Sequence, residues 1–277
     1  GATAAIASDL SDLTYELLAY RRREAWGTPR KVDRQSLFYA EERTYPHTWD
    51  TVDRENAVVV GVPHTPDPVL FGIRGESPTW VREARSYIRS EEPACEQVYT
   101  TNQGTDAHLV PGRIGALMEG RSYVVRGVVE RMPITGPGGH VSLILAGEGT
   151  SVRCMAYEPT KGFRDVVRAL IPGDRVVAAG SYKGESLNLE KIGIFHLADA
   201  VRIRPPVCPA CAKRMTSAGT AKGYKCRVCG ARAREPDIER FERTIRPGWY
   251  EVPPGARRHL ARPLLRGTPP WQQTLRG

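Results

Sequence analysis

Cys208-Pro-Ala-Cys211 and Cys226-Arg-Val-Cys229, with fourteen residues between them, are the stretch from which the fold is read. Each CxxC presents two thiolates from one tight turn, and two such turns close a tetrahedron around a zinc ion. A disulfide is the other use of a CxxC, but two neighbouring pairs at this spacing favour the metal. Soft sulfur ligands filling all four positions select zinc, or less often iron, and leave no vacancy for chemistry. The spacer, residues 212–225, is polar and carries Gly219 and Gly223, which suits a short hairpin. Such a module gains its stability from the metal, because it has little apolar surface of its own to bury.

Outward from the cysteines, charge divides the chain. From Val201 to the end there are 17 Lys and Arg against 5 Asp and Glu, whereas the first 200 residues carry 23 against 26. The whole basic excess therefore lies in and after the metal module, as on a surface that meets phosphates; a merely solvated tail is the alternative. At 277 residues with 40% hydrophobic and 26% charged content the chain is long enough for two or three domains and is neither fibrous nor disordered. No run of eighteen apolar residues or signal peptide is recognisable, so no membrane partner is expected and the location is read as cytoplasmic. The cysteine usage suits a reducing compartment, with Cys95 and Cys154 expected in the core. The opening GATAAIAS lacks an initiator methionine, as expected of a fragment or processed product.

The N-terminal half alternates strand and helix. LTYELLAY (13–20), AVVVGV (57–62), residues 69–74 and residues 94–100 are expected strands. Residues 32–45 are weakly helical, and a helix over 76–90 is entered at Ser77-Pro78, with Val81, Ala84 and Ile88 on one face. The order β-α-β-β-α-β is that of a ferredoxin-like sandwich. Two polar loops stand out in it, Gly72-Ile73-Arg74-Gly75-Glu76 and the run from Thr101 to His108, although turn chemistry alone accounts for such composition. Residues 121–197 give three strands, a helix and two strands, the order of an OB barrel, a common nucleic-acid platform. Tyr123, Tyr157 and Tyr182 are placed to stack on bases or to pack the barrel, with Arg126, Arg153 and Lys183 near phosphates. A helix is expected around 236–245, followed by a Pro- and Arg-rich segment that docks on the domains or binds RNA. No P-loop, HExxH or GxSxG occurs, and no catalytic residue is assigned. The fold class is thus α+β multidomain: a ferredoxin-like α/β sandwich (13–115), an OB-fold β-barrel (120–200), a zinc ribbon (205–235) and a basic C-terminal helix and tail (236–277), with 1–12 the end of an upstream domain.

The strings YELLAYRRREAWGTPR from Tyr15, DPVLFGIRGE from Asp67, TNQGTDAHL from Thr101, GGHVSLIL from Gly138, MAYEPTKGFRDVVRAL from Met155, the cysteine-bearing segment from Cys208 and PGWYEVPPGARRHLARPL from Pro247 resemble, in this order, the archaeal tRNA-Ile 2-agmatinylcytidine synthetases. The resemblance covers essentially the whole chain. It implies a ligase that uses ATP to activate the wobble cytidine of the CAU anticodon at C2, where the amine of agmatine then attacks. In that family a kinase-like domain precedes the ferredoxin-like, OB and ribbon domains and opens with an Asp-rich GIDDTDS-type motif that handles ATP and Mg²⁺. Nothing like it occurs here, so the resemblance implies that ATP and Mg²⁺ act through a missing upstream domain, fused or in trans, and that this part alone is inactive. It implies an agmatine pocket from Gly72, Arg74, Gly75, Glu76, Thr101, Asn102 and Asp106, with Glu76 and Asp106 as acceptors. It also implies a tRNA-Ile grip through Arg126, Arg153, Lys183, Lys222, Lys225, Arg257 and Arg258, and structural zinc on Cys208, Cys211, Cys226 and Cys229. A non-catalytic OB and zinc-ribbon binder of single-stranded nucleic acid is the alternative.

Overall fold

The computed structural model describes residues 12–267 and Trp271. Its first unit runs β1 (Thr14–Tyr20), α1 (Arg34–Thr44), β2 (Thr48–Trp49), a hairpin of β3 (Val52–Asp53) and β4 (Val58–Val59), β5 (Val69–Gly75), α2 (Pro78–Tyr87) and β6 (Cys95–Thr101). The sheet order is β2-β5-β1-β6 and every pairing is antiparallel, the ferredoxin-like arrangement. Asp33 caps α1 by accepting from the Gln35 amide at 2.9 Å; Ser77 caps α2, whose first residue is Pro78. Alternation along β1 and β5 sends Leu17, Ala19, Phe71 and Ile73 into a core with Leu37, Ala40, Val81 and Ala84 of the helices. The opposite face, with Glu16, Leu18, Gly72 and Arg74, is left uncovered by helices.

One expected strand is corrected. The run 57–62 does not enter the sheet; the second sheet strand is the dipeptide Thr48-Trp49 directly after α1, and only Val58-Val59 pairs, with Val52-Asp53. Beyond the hairpin the chain passes close to β5, where the Gly72 amide donates to Gly61 O at 2.8 Å. A Cβ on Gly61 would lie 2.6 Å from Gly72 O, so only glycine permits this approach.

β7 (Leu109–Pro111) leads into the barrel of β8 (Ser122–Val129), β10 (Val141–Gly147), β11 (Thr150–Ala156), β12 (Arg175–Lys183) and β13 (Ser186–His196), with β9 (Ile134–Thr135) at the edge of β10 and α3 (Phe163–Arg168) between β11 and β12. The circuit β8-β12-β13-β11-β10 closes through a β8–β10 pairing, and β11 meets β13 in parallel, the OB pattern. Its interior is filled by Leu143, Leu145, Leu187, Ile192 and their neighbours.

The chain then leaves on β14 (Ala200–Arg204), forms the small ribbon β15 (Thr216–Ser217), β16 (Tyr224–Lys225) and β17 (Arg232–Ala233), and returns on β18 (Asp237–Phe241), which pairs with β14. The helix expected over 236–245 is therefore a strand. At the base of this stalk Arg243 donates to both carboxylate oxygens of buried Asp174, at 2.8 and 2.7 Å, and to two carbonyls. The expected tail is no tail either: β19 (Gly248–Glu251) adds to β13, and residues 253–267 strap back across the first unit. Residues 1–11, expected as the end of an upstream domain, lie outside the described residues.

Candidate functional site

The uncovered sheet face forms the floor of a cleft of about 260 Å³, with Glu16, Gly72 and Arg74 on one side, Gly61, Pro63 and Asp67 on the other, and Asp50 and His259 at its end. Glu16 organises the floor: Oε1 accepts from Arg74 Nε at 3.2 Å and Oε2 from Gln103 Nε2 at 2.6 Å. These bonds tie β5 to the loop after β6 through a glutamate that the sequence reading did not single out. Arg74 also donates to Nδ1 of His259 on the strap. Because arginine only donates, the neutral His259 ring carries its proton on Nε2 and offers the cleft a donor. Desolvation and the Arg74 charge hold its pKa below the ordinary histidine value.

The expected pocket residues separate. Gly72 and Arg74 line the cleft. Gly75 pairs with Thr48 and Tyr15 inside the sheet, where a Cβ would meet His47 O at 2.9 Å. Glu76 lies past the strand end against His47 Nδ1, outside the cleft. Thr101 and Asn102 are taken up by turn bonds: Thr101 Oγ1 accepts from the Gln103 amide at 3.2 Å, and Asn102 O accepts from Thr105 Oγ1 at 2.6 Å. Asp106 is a correction. Its buried carboxylate accepts from Lys191 Nζ and the Arg262 amide, each at 2.7 Å, and from Trp271 Nε1 at 3.1 Å, so its acceptor role is spent inside the protein.

A second cluster joins the strap to both larger units. Arg257 reaches Asp50 with one guanidinium nitrogen and Glu251 with the other, at 2.7 Å, and its side chain is 5% exposed. Burial pushes the Asp50 and Glu251 carboxyls up, against the opposing Arg257 charge. Arg257 is therefore an interior cation and not the surface phosphate contact expected of it; its neighbour Arg258 is partly exposed, with 48% of its side chain open, and donates to Glu190 at 3.0 Å. Nearby, Glu41 accepts from the Thr51 and Val52 amides at 2.7 and 2.9 Å. Its burial still drives the pKa up to about 7.

Among the other expected nucleic-acid contacts, Arg126, Arg153, Lys183 and Lys222 are exposed, as is Lys225 on the ribbon. Tyr123 takes the packing alternative: it lies in the barrel core, its hydroxyl accepting from the Met118 amide at 3.1 Å. Tyr182 packs partly against that core, and Tyr157 is exposed beside His140. Cys154 is buried but Cys95 is exposed on the edge strand, against expectation.

The Sγ atoms of Cys208, Cys211, Cys226 and Cys229 all lie within 4.8 Å of one another, and those of Cys208 and Cys229 are 3.5 Å apart. A ZnS₄ tetrahedron has edges of about 3.8 Å, so the donor set fits zinc as it stands. Amides of Cys229 and Val228 hold the Cys226 thiol down to about 7, close to the thiolate a metal takes. The ribbon core is Cys208, Met215 and Cys226 with Cys211, Tyr224 and two alanines packed against it, little apolar surface for a fold of its own, so the metal is structural.

Residues 1–108 match the profile of the TiaS FLD domain, and 205–245 that of the TiaS C-terminal zinc ribbon domain. The chain belongs to the TiaS family. It is 50% identical over 266 residues to the tRNA-Ile 2-agmatinylcytidine synthetase TiaS of Methanocorpusculum labreanum, covering 96% of this chain and 64% of that protein. It is 51% identical to that of Methanosarcina mazei, covering 92% and 60%. Among solved structures it resembles a complex of TiaS with its isoleucine tRNA and ATP, with TM-score 0.88 and 43% identity over 97% of this chain and 64% of the other. A complex of TiaS with the same tRNA, AMPCPP and agmatine gives 0.84 and 43% over 94% and 61%. The chain thus spans 60 to 64% of the length of these relatives. No helix among the described residues is long and apolar enough to cross a membrane.

Proposed function

We propose that this chain is the substrate-holding part of a cytoplasmic ligase that uses ATP to join agmatine to C2 of the wobble cytidine of tRNA-Ile with a CAU anticodon. Family membership supports the reaction. The carrying structural observation is the cleft in which Glu16, Asp50 and Asp67 face Arg74. Agmatine has a guanidinium at one end and an amine at the other. Carboxylates with free lone pairs suit the guanidinium, and a fixed cation beside the amine lowers its pKa toward the neutral, nucleophilic form. We assign the guanidinium to the side of Asp67 and the amine to the side of Arg74, which Glu16 holds in place. Glu16, Asp50, Asp67 and His259 replace Glu76 and Asp106 in the site, and Gly72 and Arg74 are kept from it.

The ferredoxin-like unit (13–115) carries the cleft, while the OB unit (120–200), the ribbon (205–235) and the strap hold the tRNA through Arg126, Arg153, Lys183, Lys222, Lys225 and Arg258. ATP and Mg²⁺ are handled by the part of the relatives that this chain does not span. The alternative of a non-catalytic nucleic-acid binder is not favoured by the family match.

The test measures agmatine and tRNA affinity of the complete enzyme. At Gly72 an added Cβ would already lie 3.1 Å from Leu18 and 3.4 Å from Glu16, so Gly72→Val plugs the floor of the cleft. Gly72→Val and Glu16→Gln are expected to lower agmatine affinity and leave tRNA affinity unchanged. Unchanged agmatine affinity in both places the amine site elsewhere.

A further inference from the structure

Pro63 and Asp67, which line the cleft, belong to the segment Pro63-His64-Thr65-Pro66-Asp67-Pro68 that leads into β5. Three prolines in six residues remove three N–H groups but no carbonyls, so this segment has more acceptors than it can satisfy internally. Its own bonds are few: the Asp67 amide donates to Thr65 O at 2.9 Å, the Val69 amide to Asp67 Oδ1 at 2.9 Å, and the Thr65 hydroxyl to Asp67 Oδ2 at 2.7 Å.

The Arg21 amide donates to Pro68 O at 2.8 Å, and most of the remaining donors come from one side chain far earlier in the chain. Arg30 Nε donates to Val69 O at 2.8 Å, Nη1 to Pro63 O at 2.9 Å, and Nη2 to both Thr65 O and Asp67 O at 2.9 Å. Nη2 also lies 3.3 Å from Asp67 Oδ1, and the side chain is 10% exposed. Three carbonyls of this segment and the Val69 carbonyl at the start of β5 thus converge on a single planar guanidinium that does not itself line the cleft. Burial works to raise the Asp67 pKa, but the Thr65 hydroxyl, the Val69 amide and the Arg30 charge more than offset it and keep the carboxyl charged.

We infer that Arg30 is a positioning residue for the amine substrate: by fixing the proline-bearing segment it holds the Asp67 carboxylate at a set distance from Arg74 and so selects the length of guanidino-amine the cleft admits. This inference rests on the reading of the cleft as the agmatine site. Lysine cannot replace Arg30, because its three donors radiate from one point and do not match four carbonyls spread around a plane.

The experiment uses the complete enzyme with Arg30→Lys, Arg30→Ala and, as a control on the cleft, Gly72→Val. Calorimetry would measure the affinity of agmatine, which has four methylenes, and of its homologues with three and five; filter binding would measure tRNA affinity, and melting would report the fold. For Arg30→Lys, agmatine affinity is expected to fall about tenfold, since small displacements of a positioning segment cost that much or more. Preference for agmatine over both homologues should narrow, while tRNA affinity stays within about twofold and melting changes little. Unchanged agmatine affinity and preference in the Arg30 variants, with a loss in Gly72→Val, would overturn the role of Arg30 and leave the cleft standing. No loss in any of the three would overturn both. Parallel loss of agmatine, tRNA and thermal stability would mean that Arg30 merely supports the scaffold, and would also refute the inference.

Discussion

Glu41 shows how one side chain's surroundings become a measurable property of the protein. Burial dominates and raises its pKa from 4.5 to about 7; the Val52 and Thr51 amides pull the other way, and the charge of Asp50 adds to the rise. Below pH 4.5 the carboxyl is protonated both folded and unfolded, so it contributes its full stabilisation. Between 4.5 and about 7 the folded protein holds the proton more tightly than the unfolded chain, and stability falls as pH rises. A shift of this size corresponds to about 3 kcal/mol, as an order of magnitude. Glu41→Gln keeps an acceptor for the two amides and cannot ionise. Urea midpoints of the two proteins are expected to converge or cross as pH rises from 5 to 8, with the glutamine form gaining relative stability. A constant difference over that range would mean that Glu41 does not titrate there. Nothing in the sequence marks this group: Glu41-Glu42 reads as a solvated pair, and only the fold buries the first and exposes the second.

At the scale of elements, the ribbon and its stalk contrast in how readable they were. The four cysteines announce their own geometry, because metal ligands must sit at turn spacing whatever surrounds them. Cys226→Ala is expected to lower zinc content, unfold the segment between the two strands of the stalk, and weaken tRNA binding while the barrel still melts cooperatively. Zinc analysis, proteolysis within residues 205–235 and tRNA titration check this, and tRNA affinity equal to wild type would remove the ribbon from the grip. In the returning strand β18 and just beyond it, Ile238, Phe241 and Ile245 fall at helical spacing, yet the segment is extended. All five residues of β18 are exposed, and Ile238 is 64% exposed, so no core is present to favour an amphipathic helix. Backbone pairing with Ala200–Arg204 decides the conformation instead. The same applies to the run 57–62, whose β-branched residues promise a central strand. The second sheet strand is instead Thr48-Trp49, which follow α1 after three residues and take the edge place beside β5.

At the scale of the molecule, the strap turns separate units into one body. The Gly104 and Asp106 amides donate to His259 O and Leu260 O, each at 2.8 Å, Arg262 and Arg266 hold Asp12, and Lys191 of the barrel meets Asp106 beneath them. Both Asp106 and Lys191 side chains are buried, so removing either leaves an uncompensated charge. Asp106→Ala is expected to cost about 3–5 kcal/mol, and Asp106→Ala with Lys191→Met to recover much of it. Denaturant unfolding of the wild type and the two variants checks this; equal stability of the single and double variants would show that the pair is not coupled.

The sequence by itself determined the four-cysteine site, the strand order of the barrel, the two helices and most strands of the first unit, and the side of the chain that is basic. These follow from local spacing, periodicity and composition, which need no partner from elsewhere in the chain. Only the tertiary structure decided that Asp106 and Arg257 are interior ties, that Glu76 stands outside the cleft, and that Glu16, Asp67 and Arg30 shape it. A charged side chain reads the same in sequence whether it faces a ligand or a counter-charge. The difference arises when segments as distant as Asp50 and Arg257 meet and water is excluded between them.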